Sequence, residues 1–174
     1  MSDSKWNTEK LDTGERTALK RNAGVMYGND VRAMEAFWHA AGYVPTGKEN
    51  IWFACLCMEC LWKSEDHAAV LPFEEILKRL YQNGETSESI KNRMIAMLDV
   101  PWAPDGYLLG KLNNFARIFR SKNAAVMPDF QQLADDLSNW DRPEHWVQRR
   151  WIKTICGNKE NEEEKETEEN ENVD

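Results

Sequence analysis

The segment ENIWFACLCMECLWK (Glu49 to Lys63) constrains the fold more than any other stretch, because between Asn50 and Lys63 its only charge is Glu59. A helix that is apolar all round has no face to give to water and must be surrounded by other elements. A buried strand can read the same way, but this run is about a dozen residues long and strands are usually shorter. It is therefore expected to be a central buried helix.

The rest of the chain supplies helices to pack around it. Thr13 is expected to cap a first helix through about Asn22, closed by Gly24, and Asp30 to cap a second, VRAMEAFWHAAG, ending at Gly42. Pro72 suits the first turn of PFEEILKRLYQ, with Gly84 as a stop, and Ser87 suits the cap of ESIKNRMIAMLD. Further on, GYLLGKLNNFARIFRSK, PDFQQLADDLSNW and PEHWVQRRWIKTIC read as amphipathic helices, the last two opened by Pro128 and Pro143. Alternating strands bounded by Asn-Gly or Asp-Gly turns are nearly absent, so the fold class is all-α. A stiff break at Pro101 and Pro104 suggests two small helical bundles packed together, residues 1–100 and 101–156. Eight Trp, six Phe and seven Met supply large buried areas for a chain of 174 residues.

Charge divides the chain differently. The net charge is −8, yet residues 157–174 alone hold nine acidic residues against Lys159 and Lys165, leaving residues 1–156 near −1. That tail has no large apolar residue and cannot offset its ordering entropy, so it is expected to be a disordered acidic segment. The near-neutral body can still carry local basic faces.

Chemistry-bearing motifs are scarce. Cys57 and Cys60 are spaced as metal ligands and His67 follows, but structural zinc needs four ligands, usually as two such pairs, and beyond these only Cys55, Cys156 and two histidines remain. The apolar surroundings favour reduced thiols serving as small core residues. No glycine-rich phosphate loop is present, no motif flanks a cysteine nucleophile, and the acidic pairs in PFEEI and ADDL read as ordinary solvated carboxylates. No enzyme activity and no cofactor are expected. The opening MSDSKWNTEK has no signal-like apolar run, and nowhere do 18 apolar residues follow one another, so a soluble, cytoplasmic protein without membrane contact is expected.

Basic helix faces are the remaining signal. At 100° steps, Val147, Trp151 and Ile155 form one stripe of the last helix, and Arg149, Arg150 and Lys153 fall together on the opposite face beside Trp146. Glu144 projects to the apolar side, so nothing within that helix neutralises the cations. Leu108, Leu112, Phe115 and Phe119 form a core stripe from which Arg117 points away, with Arg120 one turn on and Lys111 at the flank. Near the start, Arg16 and Lys20 are spaced i,i+4, with Arg21 next to Lys20 and Glu15 nearby. Most such cations are merely solvated. A helical adaptor, binding a protein partner through exposed aromatics, is the alternative to a nucleic-acid binder.

Two stretches resemble the small-subunit family, CasB, of the type I-E CRISPR complex Cascade. LDTGERTALKRNAG (Leu11 to Gly24) resembles the opening signature of a leucine, a glycine, then alanine-leucine and a basic pair. DFQQLADDLSNWDRPEHWVQRRW (Asp129 to Trp151) resembles the closing signature, a leucine-rich helix ending in Trp140, then a helix with Val147, a basic pair and Trp151. Between them, GYLLGKLNNFARIF is similar to the family's central helix. The resemblance spans roughly residues 8–156.

What the resemblance implies is an all-α fold of two bundles with no catalytic site, pairing as a homodimer beside other Cascade subunits. It further implies contact with the guide RNA–target DNA heteroduplex and the displaced strand through basic side chains, stabilising the R-loop in antiviral defence. The family's basic pairs fall on Lys20 and Arg21 and on Arg149 and Arg150, with Lys111, Arg117 and Arg120 in the middle helix. Lys20 stands where arginine is common, and the body is less basic than the family leads one to expect. The acidic tail lies outside the resemblance; its roles are solubility or competition with nucleic acid for the basic groove.

Overall fold

Helix α3 (Glu49–Glu59) buries Ile51, Phe53, Ala54, Cys55, Leu56, Cys57 and Met58, as its all-round apolar surface requires. The structure, a computed structural model, describes residues 4–63, 65–82, 87–102 and 106–157. The acidic tail beyond Gly157, together with Gly84 and Pro104, lies outside the described residues. Helix α1 (Thr13–Arg21) and helix α2 (Val31–Ala41) pack on each other and on α3, whose other main neighbour is α7 (Phe130–Ser138). Helix α4 (Phe73–Gln82) packs against α5 (Ser87–Leu98), α6 (Tyr107–Lys122) and α8 (Trp146–Cys156). The fold is all-α in class, and its buried residues form one cluster running through every helix.

Capping explains most of the boundaries. Asp30 caps α2 by accepting from the Ala33 N–H at 3.1 Å, and Gly42 ends that helix with φ 68°, both as expected. Helix α1 is capped by Asp12 and not by Thr13. The Asp12 carboxylate accepts from the Glu15 N–H at 2.8 Å, and Glu15 Oε2 accepts from the Asp12 N–H at 2.9 Å, a reciprocal box that Thr13 is one residue too late to make. Pro72 stands just before α4, its carbonyl accepting from the Glu75 and Ile76 N–H groups. Helix α5 starts at Ser87 itself, one residue earlier than a cap there implies.

Two departures concern proline. Pro128 does not open α7; it ends a short strand, β2 (Val126–Pro128), which pairs in parallel with β1 (Ala69–Leu71). Asp129 then donates its N–H to the Leu71 carbonyl at 2.7 Å and caps α7 by accepting from the Gln132 N–H at 3.0 Å. Three-residue strands carry too little alternation to be read from sequence. Nor does Pro143 open α8. His145 takes φ 50°, its N–H bonds to the Arg142 carbonyl at 3.0 Å, and this turn delays the helix to Trp146.

Aromatic rings lock the packing. Tyr27, Phe37 and Phe53 meet edge-on with centroids 5.3 to 5.9 Å apart, joining α2 and α3. At the other side, Trp151 of α8 stacks on Phe73 of α4 at 5.6 Å and takes Trp140 edge-on at 5.2 Å. The Pro101 segment is tied down across the chain, since Trp140 donates its indole N–H to the Val100 carbonyl at 2.8 Å and Asp141 accepts from the Trp102 N–H at 2.9 Å. Gly24 has φ 86°, and a Cβ there would lie 2.7 Å from Asn113 Nδ2, so only glycine lets the exit of α1 approach α6 this closely.

Candidate nucleic-acid interface

The apolar stripe of α8 is buried as read, with Val147 and Trp151 fully covered and Ile155 nearly so. The opposite face divides in two. Arg149 and Lys153 are exposed, one helical turn apart, and among the described residues neither has an ion-pair partner. Arg150 instead reaches sideways to two carboxylates, donating from Nε to Glu74 Oε1 of α4 at 3.1 Å and from Nη2 to Asp136 Oδ2 of α7. Its guanidinium also lies over the Trp146 ring, 5.8 Å from the centroid.

Glu74 and Asp136 keep only 6% and 3% of their side chains exposed, whereas Arg150 keeps 35%. Burial raises both carboxyls above the ordinary carboxylate range, against the opposing pull of Arg150 and, for Asp136, of the Trp151 indole N–H donated at 3.0 Å. Glu74 Oε2 is buried without a hydrogen-bond partner among the described residues, and Arg150 is the cation that bonds both acids. The acids came from the two pairs read as solvated. In PFEEI and ADDL one member of each pair, Glu75 and Asp135, does sit further from the core, while Glu74 and Asp136 flank the apolar stripe of their helices and are buried. That flanking position is the signal in the sequence; the partner is not, because Glu74 lies 76 residues from Arg150.

The remaining candidates divide the same way. Lys20 and Arg21 are exposed in the last turn of α1, where cations complement the helix dipole. Arg16, half-buried, donates from Nη2 to the Thr8 carbonyl at 2.8 Å and so holds the 3₁₀ turn Thr8–Lys10 against α1. On α6 the stripe of Leu108, Leu112, Phe115 and Phe119 is buried and Arg117 is exposed. Lys111 stands over the Tyr107 ring at 5.2 Å, and Arg120 is half-buried with its Nε covered and without a partner among the described residues. Of the candidate cations, Arg117, Arg149, Lys153, Lys20 and Arg21 are thus the exposed ones.

The cysteines are consistent with packing. Cys55, Cys57 and Cys60 are buried free thiols, and burial pushes the Cys60 thiol up to about 12. No helix of the described residues is long and apolar enough to cross a membrane.

Comparison with known proteins places this arrangement. The family model described as CRISPR-associated protein Cse2 matches residues 15–154. Among curated proteins, none matches the chain significantly. Among solved structures, a CRISPR-associated protein of the Cse2 family from Thermus thermophilus shares 25% identity over 84% of this chain and 87% of its own, with a TM-score of 0.64. A CasB from M. ruber superposes with a TM-score of 0.66 at 15% identity, over 89% of this chain and 90% of its own. A chain of a CRISPR RNA-guided surveillance complex aligns at 20% identity over 83% and 82%, with a TM-score of 0.65. The last two likenesses speak for the fold alone. With the family model covering most of the chain, the chain belongs to the CRISPR-associated Cse2 family, the CasB proteins.

Proposed function

We propose that this chain is a non-catalytic small subunit of a CRISPR RNA-guided surveillance complex of the Cascade type, and that it holds nucleic-acid backbone through solvent-facing lysines and arginines. Family membership supports the first part, together with the likeness to a chain of such a complex. The observation that carries the second is the exposed pair Arg149 and Lys153 on α8, without an ion-pair partner among the described residues, beside an anchored neighbour, Arg150. Lys20 and Arg21 on α1 and Arg117 on α6 are the further contacts. Base pairing between guide and target reads the sequence, and such cations add affinity that is independent of sequence and weakened by salt. The target is the guide–target heteroduplex and the displaced strand, so the subunit stabilises the R-loop. It works as a homodimer among other Cascade subunits, in the cytoplasm and without a cofactor.

The test is Arg149→Ala with Lys153→Ala in the assembled complex, measured by target-duplex binding at two salt concentrations. Weaker target binding with an unchanged unfolding midpoint is the expected result. Unchanged target binding at both salts would overturn the reading in favour of a protein adaptor. The exposed Trp38 and Tyr43 at the end of α2 are surfaces on which either kind of subunit can meet a neighbouring protein.

A further inference from the structure

Between α5 and α6 the surface opens into a cavity of about 190 Å³ lined by Met97, Val100, Phe115 and Ile118, with Ala96 at its wall. Its remaining lining is Arg93, Lys111, Asn114 and Tyr107, so two cations and one amide surround an apolar interior and, among the described residues, no carboxylate lines it. Both cations are positioned by rings: the Arg93 guanidinium lies 6.0 Å from the Phe115 centroid, and Lys111 Nζ lies 5.2 Å from that of Tyr107. Tyr107 is 54% exposed, which leaves much of its ring in contact with solvent.

Size and lining narrow the occupant. An apolar cavity of about 150 Å³ holds a single benzene, and drug-sized ligands take upward of about 300 Å³. This cavity therefore suits one planar ring system and excludes a whole peptide helix. Its apolar interior takes the ring, the Asn114 amide can bond the polar edge of such a ring, and the cations at the mouth attract an anion attached to it. A flat ring with polar edges and a phosphate beside it is a nucleotide.

We propose that the α5–α6 cavity receives one unpaired nucleobase of a single strand, with Arg93 and Lys111 on its flanking phosphates. This rests on the proposed function and deepens it: the subunit then distinguishes an unpaired strand, whose bases can be splayed out, from a duplex, whose bases cannot. Arg93 joins the functional set, and Lys111 acquires a defined role.

The test compares a thymidine oligonucleotide with an abasic strand of equal length and charge, measured by fluorescence anisotropy at low salt on the full chain. Wild type is expected to bind the thymidine strand about five- to tenfold more tightly, as one stacked base provides. Ala96→Trp, which places an indole at the cavity wall and keeps both cations, is expected to abolish that difference. Equal affinity of wild type for both strands overturns the inference and leaves the proposed function standing. Binding to neither strand overturns both. As a check that needs no variant, the Met97 methyl resonance of the wild type is expected to shift with thymidine monophosphate and not with inorganic phosphate; a silent Met97 overturns the inference. A lower oligomer mass on Ala96→Trp, without any base discrimination in wild type, would instead assign the cavity to a second copy of the chain.

Discussion

Helix α1 ends in Lys20 and Arg21, and helix α8 carries Arg149 and Arg150 near its middle, yet the two pairs live in different surroundings. At the end of α1 both side chains are exposed, and among the described residues neither has an ion-pair partner, although Arg21 borders a groove with Asp30 and Arg32. On α8 the helix is clasped between α4 and α7, so adjacent residues 100° apart face different worlds: Arg149 meets water and Arg150 meets Glu74 and Asp136. Two adjacent cations can therefore be two contacts for a ligand, or one contact and one internal anchor. What decides is whether acids from other helices close over one of them.

The largest effect expected to sharpen this contrast is on stability. Arg150→Ala leaves two buried carboxylates without their cation, and should cost about 2–3 kcal/mol in urea unfolding, less than the roughly 3–5 of a fully buried pair because water already reaches Arg150. Arg21→Ala should change the same measurement by less than about 0.5 kcal/mol. An Arg150 variant as stable as the Arg21 variant would erase the distinction between the two pairs.

Next in size is the cap that sets the first helix. Asp12→Ala removes the side-chain arm of the Asp12–Glu15 box, leaving the Glu15 carboxylate on the backbone N–H of residue 12, and should cost about 1 kcal/mol, whereas Thr13→Ala should cost much less. Thermal unfolding of the two variants side by side checks which residue holds the platform for Lys20 and Arg21.

A smaller, pH-dependent effect belongs to Glu59 at the end of α3. Burial raises Glu59 above the ordinary carboxylate range, although its Oε2 accepts the Trp6 indole N–H at 2.8 Å. Between the unfolded carboxylate value and the raised folded one, the native state holds the extra proton, so stability falls as pH rises through that window and is level above it. Glu59→Gln keeps an acceptor for Trp6 and never ionises. Its stability relative to wild type should therefore improve as pH is raised through the window in urea titrations; a constant difference would mean that Glu59 titrates normally.

Much of this architecture was legible in periodicity. The all-round apolar run of α3, the Leu108–Leu112–Phe115–Phe119 stripe of α6 and the Asp30 and Gly42 boundaries of α2 depend on residues close in sequence, where spacing and capping chemistry speak directly. The two strands escaped notice because three residues carry almost no pattern, and the late start of α8 because a left-handed His145 is a local choice that Pro143 does not announce. Legibility of the site stopped at the helix surface. Spacing placed Arg149, Arg150 and Lys153 on one face and could go no further, since Arg150 is claimed by carboxylates 14 and 76 residues away. The Arg93–Lys111 groove is likewise a product of two helices meeting, visible in neither alone.

The central claim is that the solvent-facing cations, and not the anchored one, hold nucleic-acid backbone. Its most direct test is the salt dependence of target-duplex binding by the assembled complex, with Lys20, Arg21, Arg149 and Lys153 all replaced by alanine in this subunit and Arg150 kept. Each lost phosphate contact removes about 0.7–0.9 from the slope of log affinity against log salt, so a slope shallower by about 3 is predicted for each copy of the subunit. An unchanged slope, with the subunit still folded and incorporated, would contradict the account.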